Sequence, residues 1–245
     1  MRLNTRRWTV WILMLAVLGS LIQVQAPAAA AKRDEEDRRV IVIDAGHQTR
    51  AMGATEPNGP GSSVRKAKVT GGTSGCVTHL PEYKLNLQVA KKLKKELVKR
   101  GYKVIMVRTK NNVKLSNVDR AKVANRNKAD AFIRIHANSS NNSGVKGALT
   151  IAPQSSNKYM TKKNRRDSQK LSKKVLTAFC KATGAKNRGV MYTNTMTGIN
   201  WCKVPVTIVE MGFMSNPTED RRMARASYQK KIVKGISDGI DNYFA

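Results

Sequence analysis

Residues 40–50 read VIVIDAGHQTR: an apolar run, then Asp44, Ala45, Gly46 and His47, after which the apolar character stops. A short run of Val and Ile bounded by a glycine reads as a strand buried on both faces. A histidine is an uncommon way to end it in a chain that holds only three. Two other segments repeat the pattern. AFIRIHANSS (131–140) carries an apolar run into His136, and VPVTIVEMGF (204–213) carries one into Glu210. Each strand delivers one ionisable side chain at its C-terminal end.

Helical patterns separate these strands. PEYKLNLQVAKKLKKELVKRG places Leu85, Val89, Leu93 and Leu97 at i+4 steps, with Pro81 suited to a first turn and Gly101 to the position past the end. YKVIMVR reads as a strand. SNVDRAKVANRNK reads as a helix opened by a capping box, Ser116 with Asp119 three residues on. GALTIA is a strand, and DSQKLSKKVLTAFCKATG a helix with Leu171, Val175 and Phe179 on one stripe and Gly184 as its stop. YQKKIVKGISDGIDNYF closes the chain as a helix. Residues 48–80, rich in Gly, Ser and Thr, read as one long loop, a feature usually functional or mobile. Alternating strands and helices predict a single α/β domain over residues 40–245, a mostly parallel twisted sheet with helices on both faces. Internal repeats are not found.

The 245 residues carry 46 Lys and Arg against 16 Asp and Glu, a formal charge of +30. Such an excess speaks of partners and solubility rather than fold. Nucleic acid, an anionic membrane surface and an anionic wall polymer all fit it. The N-terminus narrows the choice. MRLNTRR is basic and acid-free, WTVWILMLAVLGSLIQV is apolar, and QAPAAAAK supplies small residues, the order of a secretory signal peptide over residues 1–31. Cleavage is expected at Ala26 or within Ala28–Ala31, and the competing reading is a retained membrane anchor. Residues 32–39 read as a charged tether. Removing Arg2, Arg6 and Arg7 takes three charges from +30 and leaves +27. Export to the cell envelope argues against nucleic acid, as does the lack of a recognition motif. Membrane contact is then expected only through the signal sequence. Of Cys76, Cys180 and Cys202, at least one is unpaired within the chain. Cys180 reads as a small apolar residue of a helix, and a Cys76–Cys202 disulfide is disfavoured.

In open α/β sheets, ligands bind beyond the carboxyl ends of the strands, where one crevice can collect His47, His136 and Glu210. Two imidazoles invite a transition metal, and zinc is the first choice with mixed nitrogen and oxygen ligands. A catalytic zinc takes three protein ligands, so a third is needed. Glu82, at the start of a helix, is a more rigid anchor than His79 at the end of the long loop. An acid at a helix N-terminus is stabilising without any metal, so residue chemistry favours Glu82 and leaves His79 open. Glu210 suits a carboxylate that takes and returns a proton. Its bland alternative is a buried acid paired with Arg or Lys.

VIVIDAGHQ, PEYKLNLQVAKKLKKEL, RIHANSS and VPVTIVEMGFMSNPTED together resemble the four motifs of the zinc-dependent N-acetylmuramoyl-L-alanine amidases, cell-wall hydrolases built on a single α/β domain. The resemblance runs from Val40 to about Phe244 with the motifs in family order. It implies zinc (Zn2+) held by His47, Glu82 and His136, Glu210 as the catalytic carboxylate, and peptidoglycan as substrate. The bond would be the amide joining N-acetylmuramic acid to L-alanine. Where the family usually has Ser, this chain has Arg134, expected on the same strand face as His136, there to perturb the site or bind an acidic part of the substrate. Some relatives carry an inhibitory helical insert before the glutamate strand. Here that region shows one evident helix, and an uncovered site is expected. Wall-binding repeats of relatives are not found in the sequence. The competing functions are a zinc peptidase or deacetylase acting on other wall bonds, and a non-catalytic wall binder.

Overall fold

In the computed structural model, which describes residues 38–245, the VIVIDA run forms β1 (Val40–Ala45). The expected signal peptide and nearly all of the tether lie outside the described residues. Ile41, Ile43 and Ala45 join one buried cluster and Val42 joins the other, so the run feeds two layers at once. Seven strands follow: β2 (Met52–Pro57), β3 (Arg65–Val69), β4 (Lys103–Met106), β5 (Ala131–Asn138), β6 (Ala148–Pro153), β7 (Asn187–Thr193) and β8 (Val206–Phe213). The helices are α1 (Glu82–Lys99), α2 (Asn117–Arg126), α3 (Lys162–Thr183), α4 (Thr197–Asn200), α5 (Pro217–Ala224) and α6 (Ala226–Phe244).

Six strands form one sheet in the order β4-β1-β5-β8-β6-β7. The first four are mutually parallel, β6 runs antiparallel to β8, and β7 is parallel to β6. The reversal has a simple cause. Only residues 139–147 separate β5 from β6, and a parallel crossover needs about a dozen or more.

The apolar stripes fix the layers. Leu85, Val89, Leu93 and Leu97 of α1, Leu171, Val175 and Phe179 of α3, and Ile232, Ile236 and Ile240 of α6 bury into the larger cluster on one face. Ala121 and Ala124 of α2 and Ile199 of α4 bury into the smaller cluster on the other. The chain reaches β4 through α1 and β5 through α2, on opposite faces and opposite sides of β1. Winding reverses there, and a crevice opens beyond the carboxyl ends of β1 and β5.

The capping box holds: the Ser116 hydroxyl accepts from the Asp119 amide and the Asp119 carboxylate from the Ser116 amide. Residues 48–80 are less loop-like than expected, because β2 and β3 pair as an antiparallel ribbon. Half of β2 is exposed and its one buried residue is Glu56, so no apolar alternation marks it in the sequence. The same holds for the largely exposed β7. Helix α3 starts at Lys162, well before its apolar stripe, where the Thr161 hydroxyl caps the Asn164 amide. The short α4 and α5 also lack an apolar period.

One buried ion cluster ties the layers together. Asp44, the penultimate residue of β1, points at the α2 side and is fully buried. Its Oδ1 accepts from Arg120 Nη1 of α2 at 2.7 Å and its Oδ2 from Arg134 Nε of β5 at 3.0 Å. Burial alone would raise the Asp44 pKa, but the two guanidinium groups prevail and hold it well below the usual carboxylate range. A depressed folded pKa gives stability that is present above the unfolded value and lost as pH falls through the folded one. Asp44→Asn leaves two buried cations facing a neutral amide and should cost about 3–5 kcal/mol. Denaturant unfolding at pH 7 measures that loss. The variant's stability should also fall less steeply than wild type's below about pH 4.

Candidate metal centre

His47 lies two residues past β1 with φ +58, a left-handed conformation unusual for a side-chain-bearing residue. Buried arginines hold that turn. Arg120 Nη2 donates to the His47 carbonyl at 3.1 Å. Arg108 donates to the carbonyls of Ala45 (2.7 Å), Gly46 (3.1 Å) and, on α1, Tyr83 (2.7 Å). Arg108 makes no ion pair among the described residues, and its burial pulls the guanidinium pKa down to about 10. Its positive charge is solvated by peptide dipoles. The His47 ring donates from Nδ1 to the Thr70 carbonyl at 2.8 Å, which leaves Nε2 free to face Glu82 at 3.3 Å.

Glu82 opens α1 and is 3% exposed. Its Oε1 lies 3.2 Å from His136 Nδ1 and accepts from Asn86 Nδ2 and the Ala137 amide, each at 3.1 Å. Its Oε2 accepts from the Thr73 amide at 3.0 Å. One ligand atom from each of His47, Glu82 and His136 falls within 4.8 Å of the other two. Burial would raise the Glu82 pKa, yet the hydrogen bonds and charges of the two histidines hold it low. Burial pushes His136 down to about 4, against the pull of Glu82. For His47 burial also acts downward, but Glu82 outweighs it and the pKa rises.

Glu210 stands beside His136 across the β5–β8 register. Its Oε2 is buried without a hydrogen-bond partner, as is His136 Nε2. Burial, then the charge of Glu82, push the Glu210 pKa up to about 8, with Arg134 acting the other way. No ion pair to Arg or Lys forms among the described residues, so the bland alternative for Glu210 is not what the side chain does. His47, His136, Arg134 and Glu210 share a cleft of about 480 Å³ with Lys66 on β3 and Gly198 on α4. A larger hollow of about 640 Å³ lies at the opposite end of the strands, among Arg39, Lys128, Lys170 and Lys203, and contains none of these residues.

His79 is exposed at φ +55 and stays outside the cluster. Arg134 does share a face with His136, but it is buried rather than displayed. The three cysteines are free, so Cys76 and Cys202 are not joined. Cys202 is buried with its Sγ donating to the Gly198 carbonyl at 2.9 Å, and Cys180 packs partly buried against the larger core. Between α3 and β8 the chain supplies β7 and the short α4 rather than a long covering helix.

Sequence reading missed the supports. Asp220 on α5 accepts from the Val77 and Thr78 amides, both at 2.8 Å, and so fixes the loop that leads into Glu82. Glu219 accepts from Gly147 and from Phe213 at the end of β8. The only available signal was Asn216-Pro217 opening a short helix rich in acids.

Fold and cluster define an α/β protein with a two-histidine, one-carboxylate group at the switch point of its sheet. A family model described as N-acetylmuramoyl-L-alanine amidase (Amidase_3) matches residues 41–242, and the chain belongs to that family. It is 28% identical over 172 residues to the N-acetylmuramoyl-L-alanine amidase LytC of Bacillus subtilis (strain 168), covering 70% of this chain and 33% of LytC. The chain therefore spans about a third of LytC's length. Among solved structures, it resembles the catalytic domain of CwlV, an N-acetylmuramoyl-L-alanine amidase from Bacillus (Paenibacillus) polymyxa var. colistinus. That likeness has a TM-score of 0.66 at 29% identity and covers 84% of this chain and 98% of that one. An N-acetylmuramoyl-L-alanine amidase from Clostridium difficile 630 gives 0.68 at 26%, covering 84% and 97%.

A Cβ on Gly46 would overlap the His136 ring, whereas one on Gly53 meets nothing within 4 Å. Gly46→Ala should therefore displace the imidazole and weaken metal affinity by about 10–100-fold, the size of losses seen when a ligand's support is disturbed. Gly53→Ala should not. Metal titration of the two folded variants, followed by elemental analysis, makes the comparison.

Proposed function

We propose that the protein is a zinc-dependent N-acetylmuramoyl-L-alanine amidase that hydrolyses the amide between the lactyl group of N-acetylmuramic acid and L-alanine in peptidoglycan. The observation that carries this reading is the pairing of Glu210, whose buried Oε2 has no partner, with His136 of the His47–Glu82–His136 group. A carboxylate held ionised between two imidazoles, with the nitrogen of one left unpartnered in the interior, suits zinc. Zinc bound there would supply Lewis acidity, polarising the scissile carbonyl and easing deprotonation of water.

The remaining work belongs to the chain. Burial and the charge of Glu82 push Glu210 up to about 8, above the usual carboxylate range, and this suits a group that both accepts and returns a proton. It takes the proton of the attacking water and delivers it to the departing amine, which leaves poorly unless protonated. His47 and Glu82 are fixed by the Thr70 carbonyl and the Thr73 amide, so the site is set before substrate arrives. The chain works outside the cytoplasm, exported by residues 1–31, and its charge draws it to anionic wall polymers.

Digestion of purified peptidoglycan should release free muramic lactyl groups and new N-terminal alanine. Other new peptide termini would instead indicate a peptidase, released acetate with free sugar amines a deacetylase, and no product at all a wall binder. Glu210→Ala should keep its zinc and lose about 10²–10⁴-fold in hydrolysis. Glu82→Ala should lose the metal and His79→Ala should keep it, and near wild-type cutting by Glu210→Ala would sink the catalytic role.

The charge gives a separate expectation. Exposed charges more than about 8–10 Å apart are screened at 0.1–0.15 M salt, so co-sedimentation with cell walls should fall steeply as salt rises. Cleavage of a small soluble muropeptide should change little over the same series.

A further inference from the structure

Arg134 is the side chain in the cleft that catalysis does not use. It is 4% exposed, yet only part of its guanidinium is engaged. Nε donates to Asp44 at 3.0 Å and Nη2 to Asn117 Oδ1 at 2.9 Å. Nη1 has no hydrogen-bond partner among the described residues and lies against Gly198 on the cleft floor. The charge is also unbalanced. Asp44 is one anion shared by two buried cations, Arg120 and Arg134. The trio therefore carries net positive charge, with no ion pair from Arg134 to Glu210. Exposed Lys66 adds a second cation at the rim. A directional donor open to the cleft, on an otherwise buried and under-neutralised arginine, is a built receptor for a carboxylate.

Geometry says which carboxylate. Arg134 precedes His136 by two residues on one strand face, roughly 7 Å behind it. In the proposed substrate the carboxyl of muramic acid is consumed in the scissile amide, so free carboxylates lie only on the peptide side. A carboxylate on the second residue of the stem stands about 6–7 Å from the carbonyl under attack, one alanine further along. We infer that Arg134 Nη1, with Lys66 at the rim, binds the free α-carboxylate of the second stem residue and so directs the peptide to the floor of the cleft and the sugar outward. This rests on the amidase reading and adds a substrate preference to it.

Two soluble muropeptides test the inference, alike except that the second stem residue carries a free α-carboxylate in one and a carboxamide in the other. Wild type should favour the carboxylate by about 10–100-fold in kcat/KM, the size of one charged hydrogen bond. Arg134→Lys keeps a cation opposite Asp44 but removes the fork, and should lose far more on the carboxylate compound. Gly198→Ala places a Cβ against Nη1 and should erode the same preference by another route if Arg134→Lys folds poorly. Binding of the two stem peptides to Glu210→Gln protein should show the same selectivity without turnover. Equal rates on both compounds in wild type, or an equal loss on both in Arg134→Lys, would overturn the subsite and leave Arg134 as a prop for Asp44. Failure of wild type to cut either compound would defeat the amidase reading instead. The binding titration then decides alone: selective binding upholds the subsite and equal binding removes it.

Discussion

The Asp44 carboxylate is the constraint from which the rest of the site hangs. It sits one residue before β1 ends, fully buried, and draws Arg120 from α2 and Arg134 from β5 to one point. Those contacts lock β1 against β5 in the register that stands Asp44 opposite Arg134. Arg120 then extends past the carboxylate to the carbonyls of Ala45 and His47. The first metal-type residue is thus oriented by the same arginine that neutralises the strand end. Arg108 repeats the device from the other side without any acid, spending its donors on carbonyls of the same turn and of α1.

From that anchor the cluster assembles by alternation. Arg134 and His136 share a face of β5, and the β5–β8 register places Glu210 next to His136. The first turn of α1 brings Glu82 between the two histidines, buried where its charge is tolerable because donors surround it. Rigid elements supply Glu82, His136 and Glu210, and His47, on a turn, is fixed by arginines and the Thr70 carbonyl.

The three strands and their ionisable ends were legible in the sequence because buried parallel strands read as unbroken apolar runs. So were α1 and α6, which bury a continuous stripe. Glu82 was only a lean over His79, since burial of an acid depends on donors that sequence position does not reveal. Three kinds of feature were illegible. The ribbon β2–β3 is partly exposed and the edge strand β7 largely so, and neither carries an apolar period. The antiparallel course of β6 follows from a short connection rather than from composition. The neutralisation of Arg134 needed its partner, ninety positions away in Asp44, to be visible. An arginine in an apolar strand is readable from sequence, but what neutralises it is not.

The ribbon has a consequence for how such a site can diversify. His47 and Glu82 flank it, and the segment that follows β3 reaches them, Thr70 through its carbonyl and Thr73 through its amide. Asn58 pins the far end by accepting at its carbonyl from Asn200 and donating to the Asn194 carbonyl. Beyond that pin, residues 60–64 are mostly exposed. Doubling the length of a flexible loop costs only about 0.6 kcal/mol. New segments can therefore be spliced between Pro60 and Val64 while the His47–Glu82–His136 geometry is inherited unchanged. The fold separates a tolerant tip from a fixed His47–Glu82 pair within a single connection.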